Sequence, residues 1–223
     1  MGAPLYLYQR RPELVHFESG LASADFDSAT SLFLACSDSL KTSELYRDDM
    51  IEIASQFAGN AADSLLNVAI TCHFNGDFSV RDTAFALAFD IMKKIDRLLS
   101  AHPLYNLDRW ISFARKWGRS RSEKDYYEMN AKLQVTTWGG PYLSEYAAKV
   151  WSGLIDGFYL KRWELLADSL KYGRSFDVHS FENRWIDSPE RKVGFNPPDD
   201  PIGYAKNLVS ASKEAVAHCS PVK

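Results

Sequence analysis

The amino-acid sequence predicts an all-α protein, an antiparallel bundle of about eight helices with no significant sheet. Three observations predict it. Apolar residues recur at spacings of three and four along most of the chain. Between these periodic stretches stand helix signals, with serine, asparagine or aspartate ahead and glycine or proline behind. No convincing run of strands interrupts them.

The elements follow in order. Residues 1–23 read as an extended lead-in, because Pro4, Pro12 and Gly20 interrupt any period, and residues 24–223 read as one helical domain. Asp25 caps a helix whose apolar face is Phe26, Ala29, Phe33, Cys36 and Leu40. Thr42 or Ser43 opens a longer one, with Met50, Ile53, Ala54, Phe57, Ala61, Leu65, Val68, Ala69 and Cys72 on one face. Asn75-Gly76-Asp77 is a turn. The next helix turns Val80, Ala84, Leu87, Ile91, Ile95 and Leu98 to one side, and His102-Pro103 stops it. Asn106 caps a short helix ending near Trp117-Gly118, and Ser120 or Ser122 begins another through Gln134. Trp138-Gly139-Gly140-Pro141 breaks the pattern. Ser144 then opens a long amphipathic segment to Leu170, closed by Gly173. A shorter helix covers His179 to Ile186, and a charged, proline-rich loop runs from Ser188 to Asp200. Asp200-Pro201, a cap followed by proline in the first turn, starts a helix to about His218.

Composition excludes several functions. Net charge is -3, from 26 basic and 29 acidic residues spread along the chain, so the basic footprint of a nucleic-acid binder is absent. No apolar stretch approaches the roughly 18 residues that span a bilayer. Met1 to Arg11 has no apolar core of the kind a signal peptide needs. The three cysteines, Cys36, Cys72 and Cys219, form no metal-finger spacing, and nothing in their positions points to a disulfide. Cys36 and Cys72 fall among apolar helical positions, where a small buried thiol is expected. The histidines His16, His73, His102, His179 and His218 do not pair at ligand spacing, so no metal or other cofactor is expected.

No serine has the surround of an activated nucleophile. Asp125, Glu128 and Glu145 are carboxylates close in sequence, but glycosidic cleavage needs two carboxyls opposed across a bond, and these read as cap and surface charges. The segment from Tyr127 to Trp163 is richer. Tyr127, Asn130 and Gln134 share one helix face, followed by Trp138, Tyr146, Trp151, Tyr159 and Arg162-Trp163. Rings that stack on a pyranose and amides that bond its hydroxyls make a sugar site. The same residues also pack helices together, and composition alone favours packing.

At this segment the chain resembles the C-terminal domain of the lysosomal and bacterial α-N-acetylglucosaminidases. The resemblance is carried by Tyr127-Glu128-Met129-Asn130, by Gln134-Val135-Thr136-Thr137-Trp138-Gly139 and by Glu145-Tyr146-Ala147-Ala148-Lys149-Val150-Trp151-Ser152-Gly153-Leu154, with Phe158-Tyr159 and Arg162-Trp163-Glu164. Weaker similarity reaches Arg10-Arg11-Pro12, Asp96-Arg97-Leu98-Leu99, Trp110 to Arg115 and Phe181-Glu182. It implies an exo-acting enzyme that releases terminal α-linked N-acetylglucosamine with retention. In that family the catalytic glutamates belong to a preceding (β/α)-barrel with no counterpart in this chain, so no catalytic residue is expected here.

By the same resemblance the barrel and N-acetylglucosamine-terminated glycans are the partners, and the parent enzyme works outside the cytoplasm. Trp138 is expected to line the sugar pocket, with Tyr146 and Leu143 beside it, on a loop slightly shorter than the family's usual form. Asn130, Gln134 and Arg162 are expected to brace this loop and the domain interface. The alternative is a free-standing helical module that binds carbohydrate or protein. An enzyme of unrelated chemistry ranks last, for want of a constellation.

Overall fold

The computed structural model describes residues 6–17, 24–139, 145–189 and 196–219. Among them it contains nine α-helices and no strand: α1 (Ala24–Ala35), α2 (Ser37–Leu40), α3 (Glu44–Asn75), α4 (Phe78–Leu99), α5 (Leu107–Arg115), α6 (Arg121–Gln134), α7 (Leu160–Tyr172), α8 (Val178–Asp187) and α9 (Pro201–Cys219). No described helix is long and apolar enough to cross a membrane.

α3 is the spine, packed most extensively against α4 and α9. The Ser43 side chain caps it by accepting from the Tyr46 N–H. Gly76, at φ 82, ends it in the left-handed conformation, where the Gly76 N–H reaches the Cys72 and His73 carbonyls. The chain then doubles back into α4. Met50, Ile51, Ala54, Leu65, Leu66, Ile70, Ile91 and Ile95 form the core between these helices. Each large aliphatic side chain buried this completely stabilises the fold by about 1.5–3 kcal/mol.

The N-terminal segment joins this core. Leu7–Gln9 form a 3₁₀ turn lying on α3, with Tyr6, Leu7 and Tyr8 buried. Buried Asp63 on α3 accepts the Leu7 and Tyr8 N–H groups at 2.8 and 3.0 Å. Gly59 makes the approach possible, because a Cβ there would stand 2.7 Å from the Tyr6 ring.

Four expectations need correction. The helix expected from Asp25 to Leu40 breaks at Cys36 into α1 and α2, and its buried side is different: Thr30 is buried while Ala29, Cys36 and Leu40 are exposed. Cys36 is therefore not a core thiol, Cys72 is half-buried, and Cys219 is the buried one. Val80 is exposed at the start of α4. Of the segment expected to be helical from Ser144, the described part, from Glu145 on, is not helical until Ile155. Ser152 bonds with Tyr105 and Leu107 backbones instead, Gly153 sits at φ 89, and a π-helical turn, Ile155–Tyr159, leads into α7. Half-buried Asp96 fixes this junction, accepting from the Gly153 and Asp156 N–H groups at 2.7 and 3.0 Å and from Ser152 Oγ at 3.1 Å.

Candidate functional site: an aromatic pair on a clamped loop

α6 begins with a reciprocal cap. Ser120 Oγ accepts from the Glu123 N–H at 3.2 Å and Glu123 Oε2 accepts from the Ser120 N–H at 3.3 Å. Its inner face is tied down by Lys132, whose Nζ meets Glu128 at 2.8 Å, bonds the Ser188 carbonyl and lies over the Trp185 ring. Arg115 of α5 pairs with Asp125 at 2.9 Å and with Glu128 at 2.6 Å. These two carboxylates thus join α5 to α6.

The outer face of α6 borders a groove. Tyr127, Asn130 and Gln134 line it with Trp110 of α5, with Trp117 in the turn after α5 and with Trp138, around a volume of about 370 Å³. Asn130 Nδ2 donates to the Tyr126 carbonyl of its own helix at 2.9 Å. Trp117, like Tyr127, is solvent-exposed. Rings and amides of this kind suit the apolar faces and hydroxyls of a sugar. Neither Asp125, Glu128 nor Glu145 lines the groove.

After α6 the chain turns so that the Trp138 N–H donates to the Leu133 carbonyl at 3.0 Å, and Gly139 takes φ 113. Leu143 lies outside the described residues. Where the description resumes at Glu145, Tyr146 follows with its ring centroid 6.0 Å from that of Trp138, the planes tilted by 53°. Trp138 is 42% exposed and Tyr146 53%, so this neighbouring pair faces solvent.

What holds Tyr146 there is the residue before it. Glu145 has φ 57, left-handed and costly for a residue with a Cβ. Its buried carboxylate accepts the Arg11 backbone N–H at 3.0 Å and pairs with Arg162. Arg162 is 0% exposed. Its guanidinium also meets Glu182 at 2.9 Å, bonds the Gln9 carbonyl and lies 4.7 Å from the Phe158 ring centroid. The Arg11 side chain completes the cluster with two bonds to Glu182, at 3.1 and 2.7 Å. Burial works against the Glu182 charge, yet the hydrogen bonds from Arg11 and Arg162 hold its carboxyl below the usual range.

The structure thus sets Trp138 beside Tyr146 and places Asn130 and Gln134 on the groove that Trp138 borders. Arg162 lies in the buried cluster below. Sequence reasoning missed Arg11, Glu182 and Trp117 as parts of this arrangement. Arg11 and Glu182 stand 171 positions apart, and no local pattern marks them.

Residues 1–211 match the family described as the alpha-N-acetylglucosaminidase (NAGLU) C-terminal domain. The human alpha-N-acetylglucosaminidase is 28% identical over 213 residues, which cover 89% of this chain and 28% of that protein. A family 89 glycoside hydrolase from Clostridium perfringens, solved in complex with 2-acetamido-1,2-dideoxynojirmycin, superposes with a TM-score of 0.82 at 22% identity, over 94% of this chain and 26% of that one. The Clostridium perfringens enzyme in complex with its substrate GlcNAc-alpha-1,4-galactose gives 0.81 at 23% identity, with the same coverage of 94% and 26%. Those two likenesses are of fold, and the chain spans little more than a quarter of each of these relatives. The match over nearly the whole sequence places the chain in the alpha-N-acetylglucosaminidase C-terminal domain family.

Proposed function

We propose that this chain is the non-catalytic helical domain of an exo-acting glycoside hydrolase that releases terminal α-linked N-acetylglucosamine. It packs on a (β/α)-barrel that carries the catalytic glutamates and lends Trp138 and Tyr146 to the rim of the sugar pocket, with Leu143 on the loop between them. Asn130 and Gln134 brace the α6 side of that loop and Arg162 its far side. The parent enzyme acts outside the cytoplasm on N-acetylglucosamine-terminated glycans.

The observation that carries this reading is the solvent-facing Trp138–Tyr146 pair on a loop whose far end is locked by buried charges. Two aromatic side chains left in water, on a segment held this firmly, suit a surface that a ligand or partner covers. The carboxylates near them are engaged with Arg115, Lys132, Arg11 and Arg162, which fits a domain that shapes a pocket and leaves proton transfer to another.

The test mixes the purified chain with an aryl α-N-acetylglucosaminide, with and without a separately expressed barrel from a related enzyme. Silence from the chain alone and turnover on mixing are expected. Turnover by the chain alone would overturn the reading. Absence of turnover on mixing, together with quenching of tryptophan fluorescence by N-acetylglucosamine alone, would point instead to a free-standing carbohydrate-binding module.

A further inference from the structure

The three cysteines are not equivalent in space, and the fold leaves one pairing open. Cys36 is exposed at the junction of α1 and α2, close to Tyr46 at the start of α3. Cys72 lies in the last turn of α3. At about 1.5 Å per residue, the helix from Tyr46 to Cys72 is roughly 39 Å long. A disulfide needs Cα atoms within about 7 Å, so Cys36 is out of reach of Cys72.

Cys219 is in the opposite situation. It is the last residue of α9, which runs parallel to α3: Lys206 Nζ contacts Ser37 Oγ just ahead of α3, and Lys213 lies over the Phe57 ring further along. At the far end Cys219 borders the same pocket as Cys72, a space of about 450 Å³ shared with His16, Val68 and His218. Burial raises the proton affinity of both thiols, and Cys219 is raised further by Cys72, whose charge it senses across this pocket. Cys219 also ends its helix, where the last carbonyls lack intrahelical partners and the final turn can adjust.

We propose that Cys72 and Cys219 form a disulfide that ties the end of α9 to the end of α3. With oxidised glutathione as the oxidant, the more accessible Cys72 thiolate attacks one glutathione sulfur and expels a glutathione thiolate. The Cys219 thiolate then attacks the Cys72 sulfur of that mixed disulfide and expels the second. Two protein thiols are oxidised, two glutathione thiols are produced, and the protein protons pass to them through solvent. The bond closes almost the whole span from α3 to α9, the long-loop case in which a cross-link most constrains the unfolded chain.

The test uses the folded chain at mildly alkaline pH with excess oxidised glutathione, an acid quench, digestion without reduction and mass spectrometry. The expected product joins the Cys72 and Cys219 peptides, lighter than their sum by the two thiol hydrogens, with glutathione on exposed Cys36. The oxidised protein should melt roughly 4–16 °C above the reduced one. In Cys219→Ser, Cys72 should keep its glutathione and that gain should vanish. Separate glutathione adducts on Cys72 and Cys219, or free thiols at both, would overturn the proposal.

Discussion

Replacing Arg162 by methionine removes one positive charge from a fully buried site and keeps most of the side chain's volume. Glu145 then retains only the Arg11 backbone N–H among its described bonds, and Glu182 retains the Arg11 side chain. Removing one partner from a buried ion pair costs about 3–5 kcal/mol, because the other charge stays desolvated. For a chain of this size that lowers the melting temperature by roughly 6–20 °C. Urea unfolding at pH 7, followed by circular dichroism, measures it directly. Glu182→Gln should cost less, since Arg162 keeps Glu145 and the partly exposed Arg11 can turn to water. Acid separates charge from packing. The folded Glu182 carboxyl titrates below its unfolded value, so its contribution is complete above that value and is lost only as pH falls through the folded one. Wild type therefore keeps that contribution at pH 5. In Arg162→Met the Glu182 carboxyl loses a cation and protonates more readily, so the penalty should shrink from pH 7 to pH 5. A variant within about 1 kcal/mol of wild type at pH 7, or a penalty that grows in acid, would refute the idea that charge pairing holds this cluster.

Burial raises the folded Asp63 carboxyl to about 7 and that of Asp96 to about 6, against the pull of their backbone N–H bonds. Both lie above the unfolded value, so their contribution is greatest below about pH 4 and is lost as pH rises toward 7. Melting temperature should fall across that window, Asp63→Asn should flatten the fall, and a wild-type melting temperature that climbs steadily from pH 4 to 7 would contradict it. Gly76→Ala should destabilise by about 1 kcal/mol, purely through the left-handed backbone, because nothing lies within 4 Å of an added Cβ. Trp138→Ala should leave unfolding within about 1 kcal/mol of wild type, its side chain being already half in water, yet cut the turnover recovered on mixing with a barrel by at least about tenfold.

The long helices were legible because their signals are local. Ser43, Asn106 and Ser120 all cap as expected, Gly76 and Gly173 close helices in the left-handed conformation, and the apolar faces of α3 and α4 are largely the buried ones. Where the reading failed, the deciding contact lay far away in sequence. Periodicity across α1 and α2 fits two faces, one through Ala29 and Cys36, the other through Thr30 and Ser37. Packing on the bundle chose the second, a choice the polar Thr30 disguises. The stretch after Ser144 has helical periodicity too, but the Tyr105 and Leu107 backbones and the Asp96 carboxylate, which precede it by dozens of residues, claim its polar groups. The aromatic pair is named through the family resemblance, since residue types alone favour packing for such side chains. Of its clamp only Arg162 is named, since an arginine in the lead-in and a glutamate on α8 look like surface charges until the fold brings them together.

Buried charge is a poor way to stabilise a protein. An Arg–Glu cluster can often be exchanged for apolar side chains with no loss, because desolvation consumes most of the Coulomb gain. The arrangement around Glu145 makes sense as positioning. An apolar residue there could fill the same space but could not accept the Arg11 N–H, and would have nothing to hold its backbone at φ 57. Tyr146 takes its direction from that backbone. The other end of the loop is fixed as well, by the buried Val135 and Thr136 and by the Trp138 N–H bond to Leu133. A ring that contributes to a pocket must stay within about 0.5 Å of its place, a tolerance that loops meet only when their supports are rigid. In the role proposed for Tyr146, Arg11, Arg162 and Glu182 are such supports, their charges paired with one another and with Glu145. The N-terminal turn just ahead of Arg11 is itself pinned by Asp63 to α3, so the position of Tyr146 is referred, through two buried carboxylates, to the spine of the bundle.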